Sequence, residues 1–358
     1  MCEPEGAPMY SNSTNVTFDR TLGMDLSAFI LPVVFSIITL FGVIGNGLVI
    51  YIVMKYPSMH NVTNFYILNV AISDMIFVLV CPPTTSLLYI LPDRWILGDF
   101  MCRLVAYIQY VSVQATCATL TAMTVDRYYV VSQPLRSRHE RTPKVAVIIS
   151  VLIWIGSFLL HVPIATYFKQ MDVECNGEET VMCFEDFPNL SVSKVYQAYS
   201  LIVMYLLPLS VIGVCYGFIL KQIWKVEALG KSDGGLYDVK QSMNRRRKVT
   251  RMVLIVVLLF AISWGPLQIM NSWLRFDPNF PIALQYFREF CLCLAYSNSC
   301  VNPFVYAFTG NTFRKYFKRL FRISDESSRI ARFHTMHTTT IMRQNSKKNN
   351  EKTQETSI

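Results

Sequence analysis

Asp126, Arg127 and Tyr128 stand together at the end of a stretch, Leu104 to Val125, that carries no charged residue. At helical rise that stretch makes about one bilayer crossing. An acid and a guanidinium adjacent at the inner edge of an apolar helix allow two kinds of chemistry. The plain one is an interfacial charge pair that ends a membrane helix. The other is a switch, in which Asp126 and Arg127 restrain each other until a partner separates them.

Further polar residues interrupt other apolar runs. Asp74 lies in an apolar setting, where a carboxylate is expensive and needs a partner. Asn46, Thr116, Asn298, Ser299 and Asn302 recur at the same expected depth. An unpaired carboxylate in hydrocarbon neutralises or finds a cation. The hydroxyl and amide oxygens of Thr116, Asn298, Ser299 and Asn302 around Asp74 suit a small hard cation such as sodium, with water completing its shell. The alternative is a purely structural interhelical hydrogen-bond network. Pro208, Pro266 and Pro303 each remove a backbone hydrogen bond and make a hinge. Trp264 stands about half a turn before Pro266, where it either converts a push from outside into a helix swing or packs as bulk.

Ten cysteines give no short-spaced metal pattern, since Cys291 and Cys293 flank a single residue. Cys102 stands at the outer end of the helix that Asp126 and Arg127 close, and Cys183 lies in the facing loop; a disulfide between them would pin that loop over the bundle. Cys175 is a further outer cysteine for which Cys2 is one possible partner.

The elements that must hold these residues are apolar helices. The chain of 358 residues is 52% hydrophobic and 16% charged, with a mean hydropathy of +0.33. A soluble domain carries about a quarter charged residues. The net charge of +9 sits beside the ends of apolar segments, as positive-inside charges do, so it speaks for membrane lipids and against nucleic acid. Seven spans are expected, at roughly 27–54, 63–89, 102–128, 145–167, 195–224, 249–274 and 283–308. The fold class is an all-α membrane protein, a seven-transmembrane helix bundle with a short amphipathic helix after the seventh span. Residues 1–26 form a polar tail with sequons at Asn12 and Asn15, marking an extracellular N-terminus. No cleavable signal peptide is visible in it. A third sequon, at Asn61, would face the cytoplasm and stay unmodified. Residues 27–308 are the bundle, and 309–323 a membrane-surface helix with Phe313, Phe317, Leu320 and Phe321 on one face. Residues 324–358 read as a disordered cytoplasmic tail.

Together these features closely resemble a rhodopsin-like (class A) G-protein-coupled receptor. The matching residues are Asn46; Asp74; Cys102; Asp126-Arg127-Tyr128; Trp154; Pro208 and Tyr216; Trp264 and Pro266; and Asn302-Pro303 with Tyr306. They cover all seven spans in order. The resemblance implies a heterotrimeric G protein as partner and an agonist-driven swing of the sixth helix. Arg127 would then leave Asp126 and meet the G protein, with Tyr216 and Tyr306 supporting the active arrangement. Tail Ser and Thr residues would take receptor-kinase phosphates and recruit arrestin. The family's cysteine before Trp264 is Ser263 here, and Cys117 replaces an isoleucine that packs with Pro208 and Phe260.

Within that family the chain is most similar to the kisspeptin receptors. The likeness lies in 62–67, 97–102, 107–109, 111–123, 141–143 and 296–299. Kisspeptins end in an Arg-Phe-amide, and the acidic loop 169–194 suits a cationic arginine. The resemblance makes Asp99, Glu185 and Asp186 candidate contacts, solvated loop acids being their plainer reading. Gln109, Trp264 and Gln268 join them as ligand-binding candidates. Gln109 stands where amine receptors carry an aspartate, and a neutral amide can hydrogen-bond a peptide amide. The outer seventh helix, Phe287 to Leu292, departs from the kisspeptin-receptor pattern, which leaves galanin-like and allatostatin-like peptides as alternatives. Resemblance also implies Gq/11 coupling and phospholipase C. A retinal pump would need a lysine in the seventh helix, and none lies between Leu284 and Phe308. A transporter would show internal repeats and interrupted helices, and neither is found.

Overall fold

The computed structural model describes residues 20–91, 94–175, 178–230, 237–277, 284–310 and 312–320. Asn12, Asn15, Cys2, Phe321 and the whole of the tail 324–358 lie outside the described residues.

The first span is α1 (Arg20–Lys55), about two turns longer at its start than the sequence suggested. A short 3-10 turn (Pro57–Met59) leads to α2 (Val62–Ile90), and Asn61 caps α2 by accepting the Asn64 N–H at 3.1 Å. The third-span helix α3 (Gly98–Ser132) runs a turn beyond Tyr128. After a single-turn helix α4 (Ser137–Glu140), the fourth span is two pieces, α5 (Pro143–Leu160) and α6 (Val162–Tyr167). Pro163 explains the break at His161, because its ring nitrogen cannot donate to the preceding turn. Thr142 caps α5 with its hydroxyl.

The fifth span is α7 (Leu190–Leu201), a π-turn (Ile202–Leu206) and α8 (Leu207–Gly230). The wide turn lies just ahead of Pro208, where an α-helical bond would be missing. Then come α9 (Tyr237–Phe276) and α10 (Leu284–Thr309), each running through its proline without a break. Residues 312–320 form a separate helix, α11, with Arg314, Lys315, Lys318 and Arg319 exposed.

Five of the spans are apolar enough to be recognised as membrane crossings by composition: Ala28–Lys55, Val62–Ile90, Pro143–Tyr167, Leu190–Gln222 and Arg247–Phe276. The other two, α3 and α10, are diluted by the polar residues they bury, Ser112, Gln114, Thr116, Thr119 and Thr124 on α3 and Asn298, Ser299 and Asn302 on α10. Buried polar chemistry is not confined to these two, since α2 buries Asn69, Ser73 and Asp74 and is still recognised as a crossing.

One element was not anticipated. The acidic loop is an antiparallel hairpin, β1 (Phe168–Cys175) with β2 (Glu178–Glu185). Asp172 and Glu174 are exposed while Val173 between them is buried, the alternation of a half-covered strand. The Cys102–Cys183 disulfide joins the hairpin to α3 across a Cα separation of 5.7 Å, and the Trp95 N–H donates to the Val181 carbonyl at 2.6 Å.

Candidate functional site

At the inner end of α3 the Arg127 guanidinium donates to Asp126 Oδ2 at 2.5 Å and to the Thr63 hydroxyl of α2 at 2.6 Å. Both ion-pair side chains are less than a tenth exposed. A second arginine completes the lock. Arg141 donates to Asp126 Oδ1 at 2.5 Å, to Oδ2 at 2.9 Å and to Thr63 at 2.9 Å. Asp126 is thus bonded by two guanidiniums, and its neutralisation does not depend on Arg127 alone. Tyr128 faces elsewhere and packs on Phe218 with ring centroids 5.9 Å apart. Beside the lock, Glu140 receives the Tyr129 hydroxyl and Arg136, which hold its carboxyl below the usual carboxylate range.

Tyr216 of α8 donates its hydroxyl to the Thr250 carbonyl of α9 at 3.1 Å. The fifth and sixth spans are therefore tied at their inner ends, next to the lock. Tyr306 is buried on α10, four residues beyond Asn302. A side chain at Gly45 would put its Cβ 3.0 Å from the Pro303 ring, so glycine there lets α1 approach the α10 proline.

Midway along the bundle, Asp74 accepts from the Ser299 hydroxyl at 2.9 Å and from Asn302 Nδ2 at 2.8 Å. Asn46 donates to the Ser299 carbonyl at 2.8 Å. Thr116 joins this layer through Ser73 rather than Asp74, donating to the Ser73 hydroxyl at 3.0 Å. A small cavity opens here, lined by Asp74, Ser112, Thr116, Asn298 and Ser299 and roofed by Trp264 and Phe260. Asn298 Oδ1 and Ser112 Oγ are buried there without a hydrogen-bond partner among the described residues. A carboxylate, three hydroxyls and an amide oxygen around a pocket of about one water's size fit a small hard cation.

Trp264 lies above that layer, edge-on to Phe77 at 6.0 Å and beside Phe260 at 6.3 Å. Gln268, one turn further out, and Gln109 on α3 are both half-buried. The three acids proposed for a cationic ligand are all engaged. Asp99 binds Arg103 at 2.7 Å and accepts the Gln170 N–H at 2.9 Å, Asp186 binds Lys169 at 2.5 Å, and Glu185 pairs with Arg275. They organise the hairpin.

Thr63, Arg141 and Arg288 escaped the sequence reading as site residues. Arg141 and Thr63 stand near the inner ends of spans and within the stretches of likeness 62–67 and 141–143, but nothing there pairs them with Asp126. Arg288 carried one, a charge inside an apolar run, and it belongs to the stretch already noted as atypical.

Comparison with known proteins agrees with this geometry. The family described as "7 transmembrane receptor (rhodopsin family)" matches residues 45–306. The chain is 43% identical over 298 residues to "G-protein coupled receptor 54" of Oreochromis niloticus, covering 82% of this chain and 78% of that one. It is 41% identical over 308 residues to the human "KiSS-1 receptor", covering 82% and 75%. It is 36% identical over 313 residues to "Galanin receptor type 1" of Mus musculus, covering 86% of each.

Proposed function

The chain belongs to the rhodopsin family of seven-transmembrane receptors, a G-protein-coupled receptor of the kisspeptin type with galanin-receptor relatives, and from that premise we propose that it is a plasma-membrane receptor for an amidated neuropeptide. It is a signalling receptor and not an enzyme, since its relatives are receptors. The ligand is a peptide ending in Arg-Phe-amide, and the partner is a Gq/11 heterotrimer acting through phospholipase C and calcium. The observation that carries the ligand reading is the 41–43% identity to kisspeptin-type receptors, against 36% to a galanin receptor.

The N-terminus with Asn12 and Asn15 faces outward, and receptor kinases and arrestin act on the tail. Ligand pressure from the Gln109 and Gln268 level reaches Trp264, whose ring roofs the polar cavity. Sodium in that cavity would be held by Asp74, Ser299 and Asn298, with Thr116 and Asn302 supporting them, and would favour the closed bundle. Opening pulls Arg127 away from Asp126 and Thr63, freeing its guanidinium for the G protein. The Tyr216–Thr250 tie must break as α9 swings.

The deciding experiment is intracellular calcium in cells expressing the chain, challenged with kisspeptin-10 and separately with galanin. A response to kisspeptin-10 that Arg127→Ala abolishes at unchanged surface expression is the expected result. Silence to kisspeptin-10 with a response to galanin assigns the ligand to the galanin class instead.

A further inference from the structure

A cationic ligand finds no open carboxylate where the acidic loop first offered one. Asp99, Glu185 and Asp186 already hold Arg103, Arg275 and Lys169, so a ligand guanidinium would only exchange one ion pair for another. Asp172, Glu174 and Glu179 are exposed on the hairpin, where solvent and salt make such pairs weak.

Glu289 differs from all of these. It lies in the outer part of α10, is half-buried, and makes no ion pair among the described residues. Arg288 precedes it within electrostatic reach, but among the described residues no ion pair joins the two. Arg288 turns toward α9, where its Nε donates to Asn271 Oδ1 at 3.0 Å, and it stands within electrostatic reach of Tyr110 on α3 and Tyr296. Glu289 stands within electrostatic reach of Tyr89 on α2 and of Cys293 one turn along α10. The outer bundle thus carries a carboxylate and a guanidinium in sequence, both within electrostatic reach of Tyr89, with the guanidinium hydrogen-bonded to Asn271.

We propose that Glu289 receives the cationic side chain of the ligand, while Arg288 beside it takes a hydrogen-bond acceptor from the ligand's terminal amide. A peptide ending in arginine and an amidated residue brings that cation and that carbonyl on neighbouring residues. The inference rests on the ligand reading above and replaces Asp99, Glu185 and Asp186 as the cation's partner. Glu289 is a specificity residue in this account, because it recognises charge, and Arg288 positions the terminus.

The test is a cycle between receptor and peptide. Kisspeptin-10 and its analogue with citrulline for the penultimate arginine, which keeps shape and loses charge, are titrated in calcium assays. Wild type, E289Q, D186N and D99N are compared at matched surface expression. Citrulline costs the wild type about 10- to 100-fold in potency, the range of a hydrogen bond to a charged group. E289Q costs the arginine peptide a similar factor, and in E289Q the citrulline penalty falls below about 3-fold, so the two losses do not multiply. D186N and D99N keep the full citrulline penalty. Losses that multiply in E289Q overturn the inference, as does a penalty that vanishes in D186N instead. If E289Q fails to reach the surface, E289D keeps the charge and must retain the citrulline penalty at lower potency; its loss overturns the inference. A wild-type receptor silent to kisspeptin-10 at full surface expression overturns the ligand reading itself, and this inference with it.

Discussion

Arg141 bonds both oxygens of Asp126, at 2.5 and 2.9 Å, from a loop position 15 residues further along the chain. This bears on what opening costs. Removing one partner of a buried ion pair strands the other charge, at about 3–5 kcal/mol. When Arg127 swings out, Asp126 keeps Arg141 and is not stranded, so the second arginine supports the open state.

Arg141→Ala should therefore reduce agonist-independent signalling, whereas Asp126→Asn should raise it by releasing Arg127. A net effect of about 1 kcal/mol, a few-fold in basal inositol phosphate, is expected for Arg141→Ala, because part of its bonding is present in both states. An increase in basal signal in Arg141→Ala would show that Arg141 serves the closed state instead.

The Tyr205 hydroxyl in the π-turn donates to the Ala261 carbonyl at 2.7 Å and occupies the space above Gly265, beside Pro266. Tyr205→Phe keeps the ring and removes the clasp between the fifth and sixth spans. About 1 kcal/mol of restraint on α9 is lost, raising basal signalling several-fold at normal surface expression. Unchanged basal activity sinks this.

Gly265→Ala tests the same contact by steric means. An added Cβ would overlap the Tyr205 hydroxyl, so α8 and α9 must separate or Tyr205 must turn away. Thermal stability of the purified receptor should fall by about 1–3 kcal/mol, the usual cost of overpacking. The double variant Tyr205→Phe with Gly265→Ala should recover part of the loss, since the colliding oxygen is gone.

Asp74→Asn removes the formal charge of the polar cavity while keeping its shape. Agonist binding to wild type should weaken when sodium replaces N-methylglucamine, and binding to Asp74→Asn should not respond to the exchange. Equal sodium sensitivity in both would leave Asp74 with its structural hydrogen bonds to Ser299 and Asn302 alone.

Cys102→Ser and Cys183→Ser should each lose most surface expression and ligand binding, and the double variant should be no worse than either. The bond closes a separation of 81 residues, and a loop of that order is worth about 4 kcal/mol in the chain-entropy account. Normal binding in either single variant would show that the Trp95–Val181 contact and the Asp99 bonds hold the hairpin unaided.

Seven spans were legible in the sequence because hydrocarbon forces backbone groups to bond within each helix, so apolar runs and loop charges carry the topology. Asp126, Arg127, Asp74 and the prolines were legible for the same reason, since polar and helix-breaking residues inside apolar runs stand out. The Asp74–Ser299–Asn302 cluster was foreseen from shared depth, yet Thr116 was found bonded to Ser73, because depth fixes a layer and not the direction in which a side chain points. The hairpin was missed, as a two-stranded pairing held by a disulfide has little local pattern. Loop acids looked available in the sequence, but Glu185 and Asp186 are closed by Arg275 and Lys169, which only the tertiary arrangement brings near, the nearer of them 17 residues away in the chain, while Asp99 is closed within its own helix by Arg103 four residues on. The sequence by itself determined which residues lie in the membrane and at what depth. Tertiary structure decided which of their charges are already paired, because ion pairing depends on distances of a few ångströms between helices and loops that no spacing along the chain reports.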